Sequence, residues 1–405
     1  MSETVLDRVK SVETAEVSGK RVLIRCDLNV PMADGVVTDA TRLERVAPSI
    51  KNLADKGAKV IVMSHFGRPK GERIPEMSLR PVAVKLGEIL GTGSIAFAED
   101  CIGDVAEGAV ASIGNGEVLV LENLRYHSGE EKNDPEFVKS LAALGDIYVN
   151  DAFSAAHRAH ASTAGLADIL PAYAGPLLMA EIQALTLALE APQRPVLAIV
   201  GGAKVSSKIP VLDNMVQKVD KLIIGGGMAN TFLFAQGYSV GKSLCEPDFV
   251  ETAKAVLEKA ASSGCEILLQ TDSVVAKEFK ENAENQVCTL DNCPEDGMIL
   301  DAGPATLEML KGKLAECRTL LWNGPLGAFE ISPFGEATFG LAKAAAAQTK
   351  AGNLVSIAGG GDTVAALNTA NVSDDFTYIS TAGGAFLEWL EGRELPGIAA
   401  LTKAG

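Results

Sequence analysis

The chain has 405 residues, room for two domains of ordinary size with full cores. Apolar residues make up 47% and charged residues 22%, which excludes a disordered chain. A net charge of −16 excludes a general nucleic-acid or acidic-membrane binder, since both need a basic face; a local pocket for a small anion stays open.

The chain opens on MSETVLDRVK, polar and charged, which does not read as a signal peptide. No apolar run reaches the ~18 residues that a membrane span needs. Seven cysteines are scattered with no C-x-x-C pair; Cys288 and Cys293 are closest, without a histidine nearby. Reduced thiols and a cytoplasmic location are expected.

Lys20–Ile24 predicts a first strand running into RCDLNVP, 25–31. Asp27 and Asn29 suit an ordinary turn, but open parallel sheets bind ligands just beyond their strand ends. Asp39 to Lys56 predicts a helix with Asp39 as cap, apolar residues at helical spacing and Gly57 as stop. Arg42 lies in its first turn, against the helix dipole by ~0.3–1 kcal/mol, a cost that an anion would offset. Lys59–Met63 is a second strand, followed by Ser64, His65, Phe66, Gly67, Arg68 and Pro69. Pro81–Leu90 reads as a helix. Val118–Leu121 is a strand leading to Arg125. Asp134-Pro135 opens a helix with a cap and an N1 proline. Ile147–Val149 runs into NDAFSAAHRAH, 150–160. His157 and His160 lack a third metal ligand, so Arg158 carries more weight than a metal reading. Arg25, His65, Arg68, Arg125 and Arg158 thus all come directly after strands, and strand ends share one edge of a parallel sheet. An acidic chain gathering its cations there predicts a rim for a small anion, with arginine suited to phosphate and carboxylate.

Pro176–Leu189 predicts a connecting helix after a break at Pro171–Gly175. Val196–Val200 is then a buried strand running into Gly201-Gly202, with Lys204 and Lys208 four apart. A helix opening near Lys204 would stack both lysines on one face beside free N–H groups. Lys221–Ile224 leads to GGGMANTF, which lacks G-x-G-x-x-G spacing. GYSVGKS, 237–243, is one residue short of a P-loop and lacks its strand. MILDAGPAT (298–306), NGPLGAFE (323–330) and GGGDT (359–363) each place glycines and a few polar groups at a strand end. The last offers bare N–H groups and one carboxylate, suited to phosphates with Mg²⁺.

Seven motifs in order, RCDLNVP, SHFGRP, LENLRYH, NDAFSAAHRAH, GGAKVSSKI, WNGPLGAFE and GGGDT, resemble the phosphoglycerate kinase family over essentially the whole chain. The resemblance implies two doubly wound α/β domains: residues 1–175 for 3-phosphoglycerate, a connecting helix at 176–190, residues 191–380 for nucleotide, and 381–405 returning to the first domain. It implies reversible transfer between ATP and the carboxylate of 3-phosphoglycerate, giving ADP and 1,3-bisphosphoglycerate, in glycolysis and gluconeogenesis. By resemblance Arg25, Asp27, Asn29, Arg42, His65, Arg68, Arg125 and Arg158 form the triose site. Lys204, Lys208, Gly303, Asn323, Glu330, Gly360, Gly361, Asp362 and Thr363 form the nucleotide site, Glu330 at the ribose and Asp362 at Mg²⁺. Two departures show: Ser207 stands where the family often has Asp, and Ala382 replaces a glycine in S-T-G-G-G-A. A monomer that closes by hinge bending is implied, with small molecules as its only partners.

The acceptor carboxylate is ionised at neutral pH, so no general base is assigned. Arg42 and Lys208 are expected to stabilise the moving phosphoryl group, one from each domain. Two alternatives compete with this reading. A nicotinamide-dependent dehydrogenase lacks its glycine fingerprint here. A nucleotide-binding scaffold without catalysis has no need of Arg42, Lys204, Lys208 and Asp362 together.

Overall fold

The computed structural model describes residues 3–93 and 95–403. The outermost residues of the expected 1–175 and 381–405 segments lie outside that range. The chain forms two compact units. One runs to Gln183 and includes the residues from Glu394 onward; the other spans Ala184–Arg393.

The first unit is built on a six-stranded, all-parallel sheet. Its spatial order is Ala96–Ala98, Val118–Leu121, Lys59–Met63, Arg21–Arg25, Ile147–Asn150, Ala172–Ala174. Its strands are apolar on both parities because helices cover both faces; Val118–Leu121 and Ile147–Asn150 are buried throughout. One core cluster packs Val22, Ile24, Val60 and Val62 against Leu43, Ile50 and Leu53 of the Thr41–Asp55 helix. The N-cap position falls on Ala40, one residue after the expected Asp39, and Asp39 accepts from Thr41 N at 2.8 Å from just outside the helix. Asp134 caps the Pro135–Ala142 helix as expected, accepting from Glu136 N and Phe137 N.

The second unit repeats the plan. Its parallel order is Glu266–Leu268, Lys221–Gly225, Val196–Gly201, Thr319–Asn323, Val355–Gly359, Tyr378–Ser380. Leu197, Ile199, Leu320 and Trp322 pack against Leu341 and Ala345 of the Glu336–Lys350 helix. A three-stranded antiparallel sheet, Asn285–Thr289, Asp272–Ala276 and Met298–Ala302, is added to it.

In both units the first strand has later strands on both sides. Strand order therefore reverses between Arg21–Arg25 and Ile147–Asn150, and again between Val196–Gly201 and Thr319–Asn323. Ligands bind beyond strand ends at such switch points.

Helix Pro176–Leu185 continues as a π-turn, Thr186–Glu190. Asp151 holds its first turn, accepting from Leu177 N at 2.7 Å and Leu178 N at 3.2 Å. At the C-terminus the chain divides at Arg393. Helix Gly383–Leu390 packs in the second unit, where Asn214 Nδ2 donates to Leu390 O. Helix Pro396–Lys403 packs in the first, where Gly397 N donates to Ala156 O at 2.8 Å. Ala382 has φ −98°, so its Cβ brings no backbone strain where the family has glycine.

Candidate functional site

At the first switch point Arg25 ends its strand in register with Met63 and Asn150. Beyond it the chain turns: Asn29 N donates to Asp27 Oδ1 at 3.1 Å, and Ser154 Oγ donates to Asp27 Oδ2 at 2.7 Å. Arg42, with its side chain 46% exposed, donates to Asn29 O at 2.7 Å and pairs with Asp27 at 3.3 Å. Asn29 Oδ1 in turn accepts from Gly67 N, and Gly67 O accepts from Arg125 Nη1 at 2.8 Å. Asn123 fixes the same turn, bonding both Phe66 N and Phe66 O. Asp27, Asn29, Arg42, Arg125 and the turn carrying His65 and Arg68 thus form one hydrogen-bonded edge, with Arg68 exposed.

The electrostatics of this edge are those of crowded cations. Burial pushes His65 well below the usual histidine value, and Arg25, Arg125, Arg158 and His160 push it further. His160 falls to about 4, by burial and then Arg125, Arg158 and Arg25. Arg125 falls to about 10, by burial and then Arg158, with Glu131 opposing. Such crowding costs free energy until an anion arrives. Arg25 is 1% exposed, and its Nε, Nη1 and Nη2 are all bonded to groups inside the protein. Sequence reasoning did not propose His160, Ser162 or Glu130 here. Only their placement in the fold brings them to the strand end, although two of them lie in or beside the NDAFSAAHRAH motif.

At the second switch point the strand ends touch. A Cβ on Gly201 would lie 2.1 Å from Pro325 O, and one on Gly324, at φ +110°, 2.2 Å from Gly201 O. Only glycine fits on both sides. The helix expected near Lys204 begins later. Val205–Ser207 is a 3₁₀ turn, and the α-helix runs Ile209–Lys218 with Lys208 at its cap position. Pro210 sets that start, since proline is tolerated in a first turn and not in an interior. Lys204 is exposed, and Lys208 reaches inward to Asn323 Oδ1 at 2.5 Å. Burial lowers the Lys208 ammonium, with Asp362 and Glu391 opposing.

Asn323 Nδ2 donates to Gly359 O at 2.9 Å, and Thr363 Oγ1 accepts from Gly324 N at 2.7 Å. Gly360, at φ +97°, caps the Gly361–Thr369 helix and leaves its first N–H groups bare. Lys208, Asn323, Gly360, Gly361, Asp362 and Thr363 therefore meet at one strand end. A cleft of ≈ 520 Å³ opens beside them, with Gly202, Gly227, Leu244, Phe279, Leu326, Glu330 and Asp362 in its walls. Its apolar faces suit a flat ring, and two of its carboxylates, Glu330 and Asp362, are exposed. Lys242, from the rejected P-loop segment, also lines it, held by its own N–H to Gly297 O. Asp301, in the same wall, is raised to about 8 by burial, opposed by hydrogen bonds from Ala337 N and Ala302 N. Gly303 is not in the cleft wall. Asp272 packs against it and accepts from Ala305 N and Thr306 N, satisfying that helix start internally.

Comparison with known proteins points the same way. The family model described as phosphoglycerate kinase matches residues 12–393. A phosphoglycerate kinase of Agrobacterium fabrum is 64% identical over 389 residues, covering 96% of this chain and 97% of its own. One of Methylorubrum extorquens is 61% identical over 393 residues, covering 97% and 98%. The solved phosphoglycerate kinase of Coxiella burnetii superposes with a TM-score of 0.92 at 45% identity, covering 98% of this chain and 99% of its own.

Proposed function

The chain belongs to the phosphoglycerate kinase family and moves a phosphoryl group reversibly between ATP and the carboxylate of 3-phosphoglycerate, in glycolysis; from that premise we propose how its residues share the work. The dehydrogenase alternative is set aside by the same family assignment.

We assign 3-phosphoglycerate to the cationic rim of the first unit and the nucleotide to the cleft of the second. The observation carrying this reading is the pairing of a switch point with a phosphate-gripping set in each unit. In the first, Arg42, Arg68, Arg125, Arg158 and His65 offer donors to phosphate and carboxylate, with Asp27 and Asn29 holding Arg42 in place. In the second, Lys208 and the bare N–H groups of the Gly361–Thr369 helix face the nucleotide phosphates. Glu330, exposed in the cleft wall, is placed for the ribose hydroxyls. Lys204 serves phosphate binding from the surface.

Asp362 is an exposed carboxylate in the cleft wall, and its charge acts on Lys208. That donor set fits Mg²⁺, which takes few carboxylates and fills its shell with phosphate oxygens and water. When bound, the ion neutralises charge on the phosphate oxygens. The protein's own contribution is alignment and charge stabilisation. Arg42 and Lys208 address the moving phosphoryl, and the acceptor carboxylate attacks as the anion it already is. Transfer requires donor and acceptor to meet with water excluded, so closing by hinge bending belongs to the proposal. A monomer in the cytoplasm completes it.

Calorimetric titration tests the division. Arg125→Ala should weaken 3-phosphoglycerate and leave ADP unchanged; Lys208→Ala should do the reverse. Equal effects on both ligands from either variant would refute the assignment.

A further inference from the structure

We propose that Glu130, Ser162 and Arg25 form a positioning relay that fixes His65 as a neutral ring carrying its proton on Nε2, and that this Nε2–H, not Arg25, is what the strand end offers the triose. The inference rests on the reading that this rim binds 3-phosphoglycerate.

The polarity of the relay comes from donor chemistry. Arg25 Nη1 donates to Cys26 O, Nε donates to Ser162 Oγ at 3.0 Å, and Nη2 lies 2.8 Å from His65 Nδ1. A guanidinium has donors only and keeps its proton, so Nδ1 must accept. A neutral imidazole has one N–H, which is then on Nε2. The same logic runs the other way. Ser162 Oγ accepts from Arg25, so its own hydrogen is free for Glu130 Oε1 at 2.5 Å, and Ser162 N donates to Glu130 Oε2 at 3.0 Å. Glu130 is fully buried and supplies the negative charge that a buried Arg25 requires.

A second proton on His65 is opposed twice. It would point an N–H at a guanidinium. The groups that act most strongly on the ring, Arg25, Arg125, Arg158 and His160, all oppose a positive charge there. Glu130 faces Arg25, Arg125 and, at 3.9 Å, His160 Nδ1. A neutral donor grips an anionic oxygen without lending a proton to a carboxylate that must attack as an anion. Triose binding at His65 should therefore be independent of the usual histidine titration.

The test uses the full chain labelled with ¹⁵N-histidine. It has four histidines, and the His65 signal is assigned by its loss in His65→Gln. The expected result is an Nε2–H tautomer unchanged from about pH 8 to about pH 5.5, against an ordinary value of ~6.5. Arg25→Met should let the ring titrate, raise KM for 3-phosphoglycerate roughly tenfold with a smaller change in kcat, and make KM pH-dependent. Arg25→Lys, which keeps a charged donor, should restore most of the loss, and Glu130→Gln should give the Met signature more weakly. An Nδ1–H tautomer or an imidazolium at neutral pH in the unmodified chain would overturn the relay, whether or not any variant folds. A relay seen as expected, with the Nε2 signal unmoved by saturating 3-phosphoglycerate, would instead overturn the placement of the triose at His65.

Discussion

Replacing Arg42 by alanine separates catalysis from stability more cleanly than any other change at the rim. The side chain is 46% exposed, makes one hydrogen bond to Asn29 O at 2.7 Å, and pairs with an Asp27 that Ser154 also serves. Water replaces an exposed pair readily, so the loss in unfolding free energy should stay below ~1 kcal/mol. For a unit of the size of the first, that is on the order of 2–4 °C at most in Tm. If Arg42 meets the moving phosphoryl, its removal should cost ~3 kcal/mol of barrier, or ~10²-fold in kcat. Arg42→Lys should fall between, since it keeps the charge and loses the planar fork. The assay starts from MgATP and 3-phosphoglycerate and couples the acyl phosphate formed to oxidation of a reduced nicotinamide. A kcat close to that of the unmodified chain would refute the role. A kcat loss matched by a large fall in Tm would show that Arg42 acts through the fold instead.

Lys208→Ala should also lower kcat ~10²-fold. Its effect on Tm should be small, because losing the bond to Asn323 is offset by removing a half-buried cation; unchanged turnover would sink the assignment. Gly324→Ala should destabilise by ~3 kcal/mol or more, since its Cβ meets Gly201 O and its φ is +110°; a denaturant midpoint like that of the unmodified chain would show that the strand ends can part. Small-angle scattering should show compaction when both 3-phosphoglycerate and nucleotide are bound; no change in radius of gyration would remove hinge closing from the mechanism.

The two sheets and their strand-end chemistry were legible because a buried parallel strand is written as a continuous apolar run. The residues just after such a run are the ones that the sheet edge presents. Val196–Val200 and Ile147–Val149 are plain examples. Burial beyond the strand was not legible. Arg25 ends its strand much as the other arginines succeed theirs, yet Glu130 and Ser162, more than a hundred residues away, enclose it. Gly303 reads as one more glycine after a strand, but Asp272, on a strand that alternation in TDSVVA signals only weakly, fills its helix start. The late start of the helix after Lys208 had a signal in Pro210. The cleft wall had less, because Leu244, Phe279 and Asp301 come from separate loops and strands that only the antiparallel sheet brings together.

The crowding of cations at the rim makes a further prediction, in protons. His160 sits at about 4 because it is buried beside Arg125, Arg158 and Arg25, whereas an unfolded chain would protonate it near ~6.5. Its folded value is depressed, so its contribution to stability is whole above ~6.5 and is lost as pH falls toward about 4. An anion at the rim cancels part of the positive field and raises the His160 value toward normal. Near pH 5 the enzyme should then take up protons as 3-phosphoglycerate binds, and near pH 8 it should not. Calorimetry in two buffers of different ionisation enthalpy measures that uptake directly. The phosphate of the ligand titrates in the same range, so the informative quantity is the difference between the unmodified chain and His160→Gln. His65 should contribute nothing to it, because its Nδ1 faces a guanidinium in both states. Uptake that is the same in the two proteins would mean that the field at His160 does not change on binding, and that the anion does not sit among these arginines.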